Sequence, residues 1–209
     1  MNNRVQYFTG TGSYLGGWGS LGTGPGQFNT PEGIAVAGNS NVYVCDSHSG
    51  RVQYFNPDGF FLGSFGQSVL VEPVGISTAI NGNVYVSDTV NDRIYIYSAS
   101  GSMIGSFGSP GTGPGQFTIP QGVDVSSDNI VYVTDSWNHN VQYFTSTGGY
   151  LGSFAIFEVP FGHGRPLGIT TIGNTTVYIA DQDTDRIKYY TGTTVVQPTS
   201  LGIIRSFYR

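Results

Sequence analysis

The chain has 209 residues and a formal net charge of −5, with only 8 Lys and Arg, so it lacks the clustered basic face that nucleic-acid binding needs. Its single cysteine, Cys45, rules out an internal disulfide, and no apolar run approaches the ~20 residues of a membrane-spanning helix. Charged residues are only 10% of the chain, while Gly, Tyr and Phe are abundant, a composition unlike that of disordered segments.

In chain order the residues fall into one plan, repeated four times after a half copy from Arg4 to Gly19. The first piece is Pro-x-Gly-(Ile/Val), starting at Pro31, Pro73, Pro120 and Pro166, with spacings of 42, 47 and 46 residues. Proline suits the first residue of a strand, because its missing N–H falls before the ladder begins. The second piece is Val-Tyr-(Val/Ile)-x-Asp, ending at Asp46, Asp88, Asp135 and Asp181. Its x is small each time (Cys45, Ser87, Thr134, Ala180), which predicts close packing by another strand. The third piece alternates with period two: Arg4 to Phe8, Arg51 to Phe55, Arg93 to Tyr97, Asn140 to Phe144 and Arg186 to Tyr190. The fourth is short and flanked by glycine: Tyr14 to Trp18, Phe61 to Phe65, Met103 to Phe107, Tyr150 to Phe154 and Ile203 to Phe207. Turn signals such as Asn56-Pro57-Asp58-Gly59 lie between. No segment carries a helical period.

Four antiparallel strands every 42 to 47 residues predict an all-β chain of propeller blades. Apolar residues on both faces of the middle strands fit blades stacked face to face, and argue against a β-sandwich with one polar face. The expected organisation is one domain over 1–209, with a half repeat at 1–24 and repeats at 25–66, 67–108, 109–154 and 155–209.

The pattern Gly-x-Phe-x-x-Pro-x-Gly-(Ile/Val)-x-Val, then Val-Tyr-Val-x-Asp, then Arg-(Val/Ile)-Gln-x-Phe, resembles the NHL repeat. Gln27 to Val36 and Gln116 to Val125 are its clearest openings. The copies look most like those of Gly- and Tyr-rich surface proteins of archaea and bacteria. The family usually closes as a six-bladed ring, whereas this sequence holds about four and a half repeats. That leaves three alternatives: a piece of a longer propeller, an open or five-bladed variant, or a homo-oligomer that completes the ring.

Repetition assigns the aspartates and Arg51, Arg93 and Arg186 to scaffold, since a catalytic group is needed once and a turn device in every blade. Each Asp is expected to accept backbone N–H bonds and each Arg to tie neighbouring blades. The run Asp181 to Asp185 has the residue types of a calcium loop, but Arg186 stands where the loop needs glycine and Gly192 where it needs the bidentate glutamate, so no metal and no cofactor is expected. Cys45 is expected to pack. The binding residues are sought where copies differ. The turn after the second strand varies at His48, Trp137, His139 and Asp183, and the connector into the fourth blade brings Phe157, Phe161, His163 and Arg165. These predict an aromatic patch with a cationic edge on one rim.

The resulting expectation is a non-enzymatic interaction or scaffold module that binds a protein or glycan partner and self-associates or completes a ring, without nucleic acid or membrane insertion. Low charge with many Tyr, Ser, Thr, Asn and Gly points to an extracellular or cell-surface setting. No charged stretch followed by an apolar run opens the sequence, so no signal peptide is expected within it. The rival is a metal-dependent lyase or hydrolase at the central channel, which the family resemblance also allows. It would require inward histidines or carboxylates from several blades on one level.

Overall fold

The computed structural model describes residues 2–158, 162–174, 176–191 and 200–204. Strands β1 (Val5–Phe8) and β2 (Tyr14–Trp18) form a half blade. Blade 1 holds β3 (Pro31–Val36), β4 (Val42–Asp46), β5 (Arg51–Phe55) and β6 (Phe61–Phe65). Blade 2 holds β7 (Pro73–Thr78), β8 (Val84–Asp88), β9 (Arg93–Tyr97) and β10 (Met103–Phe107). Blade 3 holds β11 (Pro120–Val125), β12 (Val131–Asp135), β13 (Asn140–Phe144) and β14 (Tyr150–Ala155). A short pair, β15 (Phe157–Glu158) and β16 (Gly162–His163), leads to blade 4, with β17 (Pro166–Ile172), β18 (Thr176–Asp181), β19 (Arg186–Thr191) and β20 (Ser200–Ile204). Each blade is an antiparallel sheet in sequence order, and the one helical element among the described residues is a 3-10 turn at Ser47–Ser49. The all-β propeller expected from the repeats is the fold observed.

The fourth strand of blade 4 begins earlier than sequence spacing suggests. Ile204 pairs with Ile187, as Phe65 pairs with Val52 and Phe154 with Val141, so ladder register places this strand at Ser200–Ile204. The remainder of the expected piece, through Phe207, lies outside the described residues.

The Pro-opened strands are innermost and pack in the order β3, β7, β11, β17. The core lies between blades, because each sheet is apolar on both faces. Tyr43, Cys45, Val52 and Phe65 of blade 1 cluster with Ile76, Val84, Val86 and Tyr97 of blade 2. The same layer recurs at the next two interfaces and against the half blade. One aromatic pair marks each full interface: Phe65–Tyr97, Phe107–Phe144 and Phe154–Tyr190, with ring centroids 4.6, 4.7 and 4.5 Å apart. Tilted rings at this spacing add to the apolar burial.

Hydroxyls fasten the blades. Ser47, Thr89 and Ser136 donate to the carbonyls of Pro73, Pro120 and Pro166 in the following blade. Two residues earlier, Ser87 and Thr134 donate to Gln121 and Leu167 carbonyls, and Cys45 Sγ lies 3.8 Å from the Gly75 carbonyl. The small residue of the Val-Tyr-Val-x-Asp piece is thus an inter-blade donor as well as a close-packing one. Blade 4 carries Ala180 and Gln182 at these two positions.

Asp124 supplies a tie that the sequence reading missed. It accepts from Ser77 Oγ at 2.7 Å, from Thr171 N at 2.6 Å and from Thr171 Oγ1 at 2.9 Å, joining the inner strands of blades 2, 3 and 4. The other blades have Ala35, Ser77 and Thr170 at this position, so a lone charge among small residues was the available signal. Asp124→Ala is expected to lower unfolding stability by about 1–3 kcal/mol, since it strands three donors. Urea denaturation measures this, and an unmoved midpoint would dismiss the tie.

Candidate interaction rim

Each blade turns from its second to its third strand around a buried aspartate, and every blade satisfies that carboxylate differently. Asp46 accepts from Asn29 N (2.6 Å), Arg51 Nε (2.8 Å) and Gln53 Nε2 (3.2 Å). Arg51 also donates to the Gly24 and Gln27 carbonyls, both at 3.0 Å, so it ties its strand to the connector entering its own blade rather than bridging two blades as expected. Asp88 takes Val71 N and the Asn91 side-chain amide, while Arg93 donates to Ser106 Oγ instead. A nearer, shorter amide on the turn has taken the guanidinium's place. Asp135 takes Thr118 N, Asn138 Nδ2 and Gln142 Nε2, and Asn140 stands where blade 1 has Arg51. Asp181 takes Arg165 N at 2.8 Å, Thr184 Oγ1 at 2.7 Å and Lys188 Nζ at 2.5 Å.

Electrostatics follow these partners. Burial pushes the Asp135 carboxyl up to about 6, a rise that bonds from Thr118, Asn138 and Gln142 only partly offset. Burial also works upward on Asp181, but the Lys188 and Thr184 bonds outweigh it and hold the group below the ordinary carboxylate range. Cys45 is fully buried, and desolvation pushes its thiol well up, away from nucleophilic use. No group of three or more His, Cys, Asp or Glu able to hold a metal occurs among the described residues. The Asp181 to Asp185 run closes on its own turn, as its sister copies do.

The variable positions separate into two kinds. His48, Val90, Trp137 and Asp183 are equivalent second residues of the turn, and all four are exposed, Trp137 at 59%. His48 Nδ1 lies 2.9 Å from Thr30 Oγ1. Trp137 is anchored by its backbone, whose N–H donates to the Thr118 carbonyl. His139 is of the other kind. It occupies a left-handed position (φ 56°) shared with Asn3, Gly50, Asp92 and Asp185. Residues there brace the connector of the next blade: Asn3 Oδ1 accepts from Thr30 N, Asp92 Oδ1 accepts from Ile119 N, and His139 meets the Gly164 carbonyl through Nδ1 at 3.0 Å. His139 therefore holds the scaffold, and its equivalence to Asn3 and Asp92 was legible in the alignment of turns.

Arg165 is held through its backbone by Asp181 and Gln182, and its Nε is buried without a hydrogen-bond partner. Phe157 and His163 pair through their backbones, their side chains lie outside the described residues, and so does the whole of Phe161. His48 and His139 sit on turns of blades 1 and 3, with blade 2 between them and each tied to its own local partner. At the centre, the four inner strands line an open pocket of about 300 Å³ whose polar side chains are Glu32 and Gln121. Burial, then the neighbouring Glu72, raises the Glu32 carboxyl above its ordinary value.

The NHL-repeat family model matches residues 28–55 and 117–144, in blades 1 and 3. No curated protein matches the sequence. Among solved structures the chain is similar to a streptogramin B lyase, at 14% identity and TM-score 0.72, over 99% of this chain and 63% of that one. It is also similar to a catalytically inactive virginiamycin B lyase from Staphylococcus aureus with quinupristin, at 16% identity and TM-score 0.69, over 96% and 62% of the two chains. A chain of a nidogen/laminin complex matches at 20% identity and TM-score 0.63, over 78% and 60%. This chain therefore spans less than two thirds of the length of each. Identities this low carry the fold alone. Blades 1 and 3 match the repeat directly, and blades 2 and 4 keep its strand order, its Pro-x-Gly opening and its buried aspartate: the chain is a β-propeller that carries NHL repeats in blades 1 and 3.

Proposed function

We propose that the chain is a non-enzymatic interaction module that takes a protein partner, or a glycan, on the rim formed by the second-to-third strand turns. The observation that carries this reading is Trp137. Its equivalents are His48, Val90 and Asp183, so the turn does not require an aromatic there, and the indole leaves 59% of its surface exposed. Tryptophan is a favoured interface anchor because it offers a large, rigid apolar surface with one donor. His48 and Asp183 vary the chemistry at the same height on blades 1 and 4, as a module that reads partners through loops on a rigid frame would. A cell-surface or extracellular setting fits the low charge of the chain and belongs to the same proposal.

Trp137→Ala should abolish most partner binding, a loss of about 2 kcal/mol or more for a central anchor, with the unfolding midpoint unchanged. The Trp18→Phe background leaves Trp137 as the reporter, so titration of candidate proteins and glycans is followed by its fluorescence. A partner held equally by wild type and Trp137→Ala would remove the rim from the proposal.

The second reading, a lyase or hydrolase at the central channel, draws on the named lyases among the similar structures and on Glu32 in the central pocket. It demands turnover of a substrate that Glu32→Gln suppresses while Trp137→Ala does not.

A further inference from the structure

Blade 2 differs from its sister blades at one corner of the rim, where three valines replace polar residues. Its connector has Val69 where blades 1 and 3 have Gln27 and Gln116, and Val71 where they have Asn29 and Thr118. Its turn has Val90 where blades 1 and 4 have His48 and Asp183. These valines are 38%, 53% and 55% exposed. Asp88 builds the corner through the main chain. It accepts from the N–H groups of Val71, Glu72, Val90 and Asn91, and Asn91 Nδ2 donates to the Val69 carbonyl. The fold therefore uses the backbone of these residues and leaves the valine side chains to solvent. The corner continues into blade 3. Asp92 Oδ1 accepts from Ile119 N, while the Thr118 and Ile119 carbonyls accept from Trp137 N and Ser136 N. One connected strip thus runs from Val69 through Val71, Val90 and Ile119 to Trp137. It lies on the two middle blades, each flanked by a blade of this chain on both sides, so no free blade face contributes to it. Two carboxylates stand beside it. Glu72 replaces the Thr30 and Ile119 of blades 1 and 3, and Glu32 replaces the Val74, Gln121 and Leu167 of the other inner strands. Neither makes an ion pair among the described residues. Glu72 is close enough to help raise the Glu32 carboxyl, so the corner holds like charges that a bound cation would relieve.

We infer that this strip docks a linear segment of a partner protein in which apolar side chains are accompanied by lysine or arginine. The inference rests on the rim being the binding surface and adds what the rim takes. The segment's apolar side chains cover Val71, Val90 and the Trp137 indole, and its cation meets Glu72 and Glu32. The valines select a peptide over a glycan, since they offer a sugar ring neither an aromatic face nor a hydrogen bond. The carboxylates set the sign of the partner's charge, because a segment bearing aspartate or glutamate would be repelled there.

The probe is a phage-displayed library of random dodecapeptides, panned on the full chain. Selected peptides are synthesised with a fluorescent label and titrated by anisotropy. They should be enriched in apolar residues and in lysine or arginine, and should bind saturably. Val71→Asn with Val90→His copies Asn29 and His48 of blade 1, so the fold accepts the pair. This double variant should weaken binding by about tenfold or more. Glu72→Gln should weaken it by about three- to tenfold and flatten its dependence on salt. Circular dichroism and the unfolding midpoint check both proteins. Four outcomes overturn the inference: no enrichment over an uncoated surface, selected peptides that are acidic or uncharged, binding indifferent to the double variant, or a dimer of the chain alone that the double variant dissociates. The last would give the strip to a second copy. A peptide or a neutral glycan that needs Trp137 but not the valines would keep the rim and sink this occupant. Peptides that need the valines and Glu72 but not Trp137 would keep the strip and remove Trp137 as its anchor.

Discussion

Gly75→Ala will destabilise the propeller by about 3 kcal/mol or more, while Gly168→Ala, at the same position of the repeat, will change stability by no more than about 0.5 kcal/mol. A Cβ on Gly75 would meet the Gln121 carbonyl oxygen, Ser87 Oγ at 2.7 Å and Val123 N at 3.0 Å. Two of these are backbone atoms of the next inner strand, so the strain is relieved only by pushing β11 away from β7. That movement would also stretch the Ser87 and Thr89 hydroxyl bonds into blade 3. Gly33 faces the Val74 carbonyl and Gly122 the Leu167 carbonyl in the same way. The glycine of Pro-x-Gly is thus a contact between blades, where the approach of a neighbouring carbonyl leaves no room for a methyl group. Gly168 has nothing nearer than Ala180 Cβ at 3.8 Å. Urea denaturation of the two variants side by side tests the point, and equal losses would show that the glycine serves its own strand rather than the next blade.

The repeated residues made strand order, the four and a half repeats and the both-faced core legible, because period-two alternation and the Pro and Gly punctuation are local properties. Side-chain partners were less legible, because they depend on what lies alongside. Arg-Val-Gln-Tyr-Phe is buried in blade 1 and largely bare in the half blade, with no difference within the five residues. Arg51 and Arg93 hold the same repeat position, yet Asn91 on the turn reaches Asp88 and releases Arg93 to Ser106. His139 read as a variable, hence binding, position, because its left-handed backbone and its bond to Gly164 are properties of the turn geometry. Trp137 could be singled out from sequence because the test there is comparative: three sister turns manage without an aromatic. Asp124 carried the same kind of signal and was passed over, since its partners Ser77 and Thr171 come from two other blades.

Arg51→Ala is expected to cost about 3–5 kcal/mol at neutral pH, because it leaves the Asp46 carboxylate, 0% exposed, without its counter-ion. It also removes one of the two donors at each of the Gly24 and Gln27 carbonyls, which keep Gln27 N and Gln53 Nε2 respectively. Blade 3 is the natural counterpart, since Asp135 is equally buried and Asn140 replaces the arginine. Its carboxyl is pushed from 3.8 to about 6 by burial. A carboxyl raised on folding keeps a proton that the unfolded chain releases. Its contribution to stability is therefore most favourable below about pH 4, falls as pH rises between about 4 and 6, and is a full penalty above that. Asn140→Arg, combined with Asn138→Ser to copy Ser49 of blade 1, supplies the missing cation and removes the buried, unpaired Asn140 Oδ1. The double variant should gain about 1–2 kcal/mol above pH 6, less than the full shift converts to because Asn138→Ser gives up the Asn138 Nδ2 bond to Asp135, and that gain should fade by about pH 4. Unfolding midpoints of wild type and variant across pH 4 to 8 decide it. A gain that does not change with pH would mean that the arginine acts by packing on the connector, and that burial of Asp135 carries no charge penalty for the ion pair in blade 1 to have removed.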